Sequence, residues 1–151
     1  MFFLIKKDDA LIPQVLSAIL DECVNGVTLA DPDLPDVPII YANKAFEHLT
    51  GYSQDEIIGH NCRFLQGNDR EQPARYEIIE AMKNQQPVEV TLRNYRKDGS
   101  LFHNRLKIIP LKDRKNRILY FLGVQYDITQ HVDDASEIKQ LTKLLNAIQK
   151  T

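Results

Sequence analysis

The sequence predicts an α+β domain: a five-stranded antiparallel sheet with helices gathered on one face, flanked by a helix at each end. Three observations predict it. Two short strand signals, at 27–30 and Ile39–Ala42, are joined by a loop of turn formers. A block with helical spacing then runs from Asn43 to Asn84. Three longer alternating runs follow, linked by short turns, which suits neighbouring antiparallel strands.

At residues 9–23, Leu11, Ile12, Val15, Leu16, Ile19 and Cys23 recur at helical spacing behind Asp8 and Asp9. Pro13 falls in the first turn, where a missing N–H is tolerated. A short amphipathic helix that docks on another surface is expected. Val27-Thr-Leu-Ala30 and Ile39-Ile-Tyr-Ala42 form a hairpin around Asp31-Pro-Asp-Leu-Pro-Asp-Val-Pro38. Residues 43–50 read as a short helix with Ala45, Phe46 and Leu49 on one side, ended by Gly51. Ser53-Gln-Asp-Glu56 is a capping box for the next, ending near Gly59. Residues 61–65 read as one helical turn, and 71–84 as a longer helix carrying Ile78, Ile79 and Met82.

In Val88–Tyr95 the even positions are Val88, Val90, Leu92 and Asn94. Lys97-Asp-Gly99 is a tight hairpin turn. In 101–109 the even positions are Phe102, Asn104, Leu106 and Ile108, with His103, Arg105 and Lys107 between them. Asp113 to Asn116 turns the chain into Ile118–Asp127, whose odd positions include Phe121, Gly123 and Gln125. From about 131 to 150 the chain is polar and helical. Ile138, Leu141, Leu145 and Ile148 form a heptad seam there. The expected organisation is a cap helix (1–24), a core (25–129) and a C-terminal helix (130–151).

Composition sets limits on function. The 151 residues include 43% hydrophobic and 26% charged side chains, with 19 Lys+Arg against 21 Asp+Glu and a net charge of −2. Such a balance is that of a globular domain and argues against bulk electrostatic binding of nucleic acid. No apolar run approaches the roughly 20 residues of a membrane span. Met1–Ile5 is apolar but is followed at once by charges, unlike a secretory signal. Two cysteines without an export signal point to reduced thiols and a cytoplasmic location. No metal site is expected.

Strand parity raises a question. Asn94, Asn104 and Gln125 share faces with Leu92, Leu106 and Phe121, so three amides point toward the core. A buried amide left unpaired costs about 1–3 kcal/mol. Each alone can be satisfied by backbone or a structural water; three on adjacent strands suit the edge of a bound heterocycle that alternates C=O and N–H. Asn61-Cys-Arg-Phe-Leu-Gln66 faces the same space, with Cys62 and Gln66 four apart. Arg63 stands where an anion at the pocket mouth can meet it, and Arg70 and Arg75 follow. Solvated arginines are the plain alternative, and Cys23 reads as a small buried hydrophobe.

At these residues the chain resembles the light-oxygen-voltage (LOV) family, the flavin-binding photosensory branch of the Per-Arnt-Sim (PAS) fold. The blocks that carry the resemblance are Gly59-His-Asn-Cys-Arg-Phe-Leu-Gln66, Asn94-Tyr-Arg-Lys-Asp-Gly99, Phe102-His-Asn104 and Tyr120-Phe-Leu-Gly-Val-Gln125. Asp31-Pro-Asp-Leu-Pro-Asp36 with Ile39-Ile-Tyr-Ala-Asn-Lys-Ala-Phe46 also matches, so the likeness covers about 25–129. It implies a PAS-type sheet and a non-covalently bound flavin, FMN rather than FAD or riboflavin. It further implies that blue light excites the flavin to a triplet and that the Cys62 thiol then bonds reversibly to flavin C4a. Asn61, Gln66, Asn94, Asn104 and Gln125 are implied as contacts to the ring or ribityl chain, with Gln125 relaying the signal from N5 and O4. Thr28 is implied as a further contact, and Val27, Leu65, Ile78, Leu92, Leu106 and Phe121 as the walls. Arg63, Arg70 and Arg75 are implied phosphate ligands. Two departures stand out: Ile78-Ile79 lies where many members carry Ile-Arg, and His103 replaces a common Trp.

No kinase, phosphodiesterase or DNA-binding pattern follows the core. The expectation is a short photosensory module, not an enzyme. It forms a homodimer through its terminal helices and regulates an unidentified protein partner in trans, without nucleic acid or membrane. The competing readings are a flavin-based redox sensor or flavin-dependent redox enzyme cycling through Cys62, and a PAS interaction module with no chromophore.

Overall fold

A computed structural model describes residues 20–128 and 134–149, with side chains at 139 and 141–149 in the second stretch. Most of the expected N-terminal helix lies outside the described residues; Leu20 and Asp21 are helical. The elements are β1 (Gly26–Ala30), β2 (Ile39–Ala42), α1 (Lys44–Thr50), α2 (Gln54–Ile57), a 3-10 turn (Cys62–Gln66), α3 (Pro73–Lys83), β3 (Val88–Tyr95), β4 (Leu101–Lys112), β5 (Ile118–Asp127) and α4 (Asp134–Gln149). The strands make one antiparallel sheet in the order β2-β1-β5-β4-β3, as expected of the α+β class. The last strand returns to the middle, pairing β1 on one side and β4 on the other.

Local chemistry explains the element ends. Asn43 caps α1: its Oδ1 accepts from Phe46 N at 3.1 Å and from Val27 N at 2.8 Å. Its Nδ2 donates to the carbonyls of Leu20 and Asn25 at 2.8 and 3.0 Å. One side chain thus ties the helix to β1 and to the chain that enters it. Gly51, at φ 78°, stops α1 in the left-handed conformation that glycine adopts freely. The Ser53/Glu56 capping box forms as the sequence predicts.

Helix α3 begins at Pro73, two residues later than the pattern suggested. The residue before a proline is pushed to extended backbone, and Gln72 sits at φ −129°, ψ 127°. Freed from capping duty, its side chain behaves as a piece of strand. Oε1 accepts from Arg93 N at 2.8 Å and Nε2 donates to Arg93 O at 3.0 Å, covering the edge strand β3.

Both faces of the sheet are covered. On the inner face, Val90, Leu92, Leu106, Ile108 and Phe121 pack with Ala74 of α3. On the outer face, Val27, Leu29, Leu111, Leu122 and Val124 pack with Leu141 and Leu145 of α4 and with Leu20. β4 accordingly runs to Lys112, past the expected end at 109. There Ile108 faces inward and Ile109 outward, and both are buried. Leu122 and Val124 are fully buried, each worth about 1.5–3 kcal/mol. The heptad seam of α4 therefore spends Leu141 and Leu145 on its own sheet.

Candidate functional site

The inner face of the sheet, the 3-10 turn and α3 enclose a cavity of about 410 Å³. This lies within the roughly 300–1,000 Å³ range of small-molecule sites. Its apolar walls come from Leu65 of the 3-10 turn, Ile78 of α3, Leu92 of β3, Leu106 of β4 and Phe121 of β5. Its polar floor comes from Thr28, Gln125, Asn104 and Asn94, one from each of β1, β5, β4 and β3. Asn61, Cys62, Arg63, Gln66 and Arg75 complete the expected set that lines it.

Two expected residues stand elsewhere. Val27 belongs to the outer face, packed in the cluster with α4. Successive side chains on a strand point to opposite faces, so Thr28 inside puts Val27 outside. Arg70 lies off the cavity, with its Nε donating to Gly67 O at 2.9 Å.

The floor is a hydrogen-bonded row. Asn104 Nδ2 donates to Asn94 Oδ1 at 2.9 Å and to Gln125 Oε1 at 3.1 Å. Gln125 Nε2 donates to Thr28 Oγ1 at 3.4 Å, and Asn94 Nδ2 to Arg93 O at 3.0 Å. Among the described residues that line the cavity, two buried acceptors lack a partner, Asn104 Oδ1 and Gln66 Oε1. Such groups are rare in a settled interior because each costs desolvation energy. Both residues line the cavity, so a ligand offering N–H groups answers them. Gly123 keeps the floor open: a Cβ there meets Thr28 Oγ1 at 2.6 Å.

Cys62 opens the 3-10 turn behind Asn61, whose Oδ1 caps it by accepting from Arg63 N at 3.0 Å. The Asn61 amide also donates to the carbonyl of Asp36 at 2.7 Å, so this side chain is committed to the β1–β2 loop as well as lining the cavity. Cys62 is open to the cavity. Burial among the surrounding atoms pushes its thiol pKa up, and the Arg63 charge pulls it partly back. The thiol is therefore protonated at neutral pH.

The arginines divide. Arg63 donates from Nη2 to both carboxylate oxygens of Asp36. That contact spans 27 residues of sequence. Arg75 lines the cavity, donates to Arg70 O at 3.4 Å and lies 5.8 Å from the Tyr76 ring centre.

A family model for the PAS domain matches residues 24–130. The chain is 42% identical over 120 residues to a blue-light photoreceptor of Listeria monocytogenes, covering 79% of this chain and 47% of that protein. It superposes on a crystal structure of a Rhodobacter sphaeroides LOV protein with a TM-score of 0.73 and 38% identity, covering 78% of this chain and 66% of that one. It also matches the LOV domain from a blue-light activated histidine kinase of Erythrobacter litoralis: TM-score 0.63, 44% identity, 69% of this chain and 95% of that one. The chain belongs to the LOV branch of the PAS family. It spans less than half the length of the curated relatives, 13% of rice phototropin-1A for example.

Asp36, Val37, Ile39, Ile108 and Gly123 also line the cavity of this LOV domain and were not expected there from sequence, and Ile79, noted only as a departure from the family pattern, joins them. Parity already carried the signal for Ile108 and Gly123, which share faces with Leu106 and Phe121. Nothing local pointed to Asp36, because its place depends on the loop meeting the 3-10 turn.

Proposed function

We propose that this LOV domain is a blue-light sensor whose cavity holds FMN and whose reacting side chain is Cys62. One observation carries the reading: the Cys62 thiol, an apolar slot and two unpartnered buried acceptors line the same cavity. The donor set fits the group, since a flavin edge alternates C=O and N–H and the amides offer both functions. When bound, a flavin would supply blue-light absorption and an excited state open to reversible attack, and Cys62 would present the thiol to it.

The chain's own residues do the rest. Cys62 keeps its proton in the dark, so it stays unreactive until light acts. Gln125 carries donor and acceptor on one side chain, so its amide can turn over when its neighbour's hydrogen-bonding changes. Turning it exchanges Oε1 for Nε2 opposite Asn104, which disrupts a β4–β5 link on the inner face. Leu122 and Val124, on the other face of the same strand, pack with Leu141 and Leu145 of α4. A local hydrogen-bond change thus reaches a helix that can leave the sheet. Arg75, and Arg63 through the donors its Asp36 pair leaves unused, are the cations that the phosphate can meet. The output extends to a homodimer through the terminal helices and to a protein partner in trans; Leu144, 40% exposed on α4, supports that part.

Absorption spectra before and after blue light test the reading. The flavin-loaded chain should bleach and recover in darkness, and Cys62→Ala should keep the flavin without bleaching. Failure of the wild-type chain to retain flavin, or the same bleaching in Cys62→Ala, overturns it.

A further inference from the structure

At the cavity mouth Arg63 is already paired. Its Nη2 donates to both carboxylate oxygens of Asp36, and both residues line the cavity. The side chains are 42% and 60% exposed, so the pair sits where cavity meets solvent. Asp36 is held there firmly. Asn61 Nδ2 donates to its carbonyl at 2.7 Å and to that of Val37 at 3.4 Å. Asp36 and Val37 keep φ values of 67° and 47°, in the left-handed region that side chains other than glycine seldom enter. The β1–β2 loop is thus pinned to the turn that carries Cys62, with its carboxylate against the guanidinium.

We propose that Asp36 is a specificity-determining residue: its carboxylate, seated on Arg63, holds down the preference of the cavity for a phosphate-bearing flavin over uncharged riboflavin. The inference rests on the flavin reading above and refines it. A phosphate monoester carries about −1.5 to −2 charge near neutral pH. It reaches Arg63 in one of two ways. It displaces Asp36 and forfeits that ion pair, or it docks on the Nε and Nη1 donors that Asp36 does not use and shares one guanidinium with a second anion. In both cases the charge of Asp36 subtracts from the phosphate's gain. Arg75 has no carboxylate partner among the described contacts, so its attraction for phosphate is undiminished. Riboflavin ends in a hydroxyl and feels neither effect.

Titration of the flavin-free full chain with FMN and with riboflavin, followed by flavin fluorescence, tests this. Asp36→Asn keeps the size and an acceptor oxygen for Nη2 but removes the charge. It should tighten FMN about three- to fivefold at low salt, the worth of one exposed ion pair, and leave riboflavin unchanged. The gain should shrink as salt rises. Arg63→Gln should bring FMN toward the riboflavin affinity. An unchanged FMN-to-riboflavin ratio in Asp36→Asn overturns the proposal. So does an equal weakening of both flavins, which marks Asp36 as a residue that merely holds the loop. A wild-type chain that binds neither flavin overturns the flavin reading itself, and this inference with it.

Discussion

Asn104 donates its amide to Gln125 Oε1 across 3.1 Å, joining β4 to β5 on the cavity floor. The two residues do not oppose each other in register: Gln125 pairs with Leu106, and Asn104 with Asp127. The bond is therefore diagonal, and it joins two buried side chains that both point inward. Gln125→Leu removes an acceptor for Asn104 and a donor to Thr28, at a cost of about 1–2 kcal/mol in stability. Cys62 is untouched, so bleaching should persist. Light-induced change in hydrogen exchange along α4 should shrink. Undiminished change in α4 removes Gln125 from the relay.

Gly123→Ala should weaken flavin retention. The new Cβ meets Thr28 Oγ1 at 2.6 Å and Gln125 Nε2 at 3.4 Å, so Thr28 must rotate and give up its bond to Gln125. Overpacking of this kind costs about 1–3 kcal/mol. Thr28→Ala added to Gly123→Ala should restore most of the flavin affinity, read by fluorescence titration. Equal losses in the single and double variants would place the clash elsewhere.

The C-terminal helix gives a contrast between two leucines. Leu145 is 3% exposed and packs on the outer face of the sheet, so Leu145→Ala should cost about 2–5 kcal/mol in thermal melts. Leu145→Glu should cost more, because a charge is buried there. Leu144→Glu should leave stability nearly unchanged. If α4 also meets a second copy, Leu144→Glu should shift the sedimentation behaviour of a dimer. A large loss of stability from Leu144→Glu would contradict the packing of α4.

Asp69 should make the fold acid-sensitive. It accepts from Arg93 Nε at 2.7 Å, Arg93 Nη2 at 2.8 Å and Tyr95 Oη at 2.7 Å. Arg93 first and then Tyr95 hold its carboxyl down to about 2, from an ordinary 3.8. A carboxylate depressed in the folded state contributes stability above its unfolded pKa and loses it as pH falls through the folded one. The melting temperature should therefore decline between about pH 4 and pH 2 more steeply in the wild-type chain than in Asp69→Asn. Parallel curves would show that the contact carries no linkage.

Much of this molecule was legible in the residues themselves. Alternation in β3, β4 and β5 told which side chains share a face, since the pleat allows no other choice. Asn94, Asn104 and Gln125 were thereby placed together before any pairing of strands was known. The turn formers, the capping box and the block around Cys62 act within a few residues, and local geometry settled them. What spans the chain was decided only by tertiary structure. The seam on α4 reads from sequence as a contact between two copies, and the apolar outer face of β1 and β5 takes up its Leu141 and Leu145. Arg63 reads as a free cation until the β1–β2 loop, pinned by Asn61, brings Asp36 onto it from 27 residues away. A side chain's direction follows from its own backbone. Its partner depends on which distant surface the fold leaves exposed beside it.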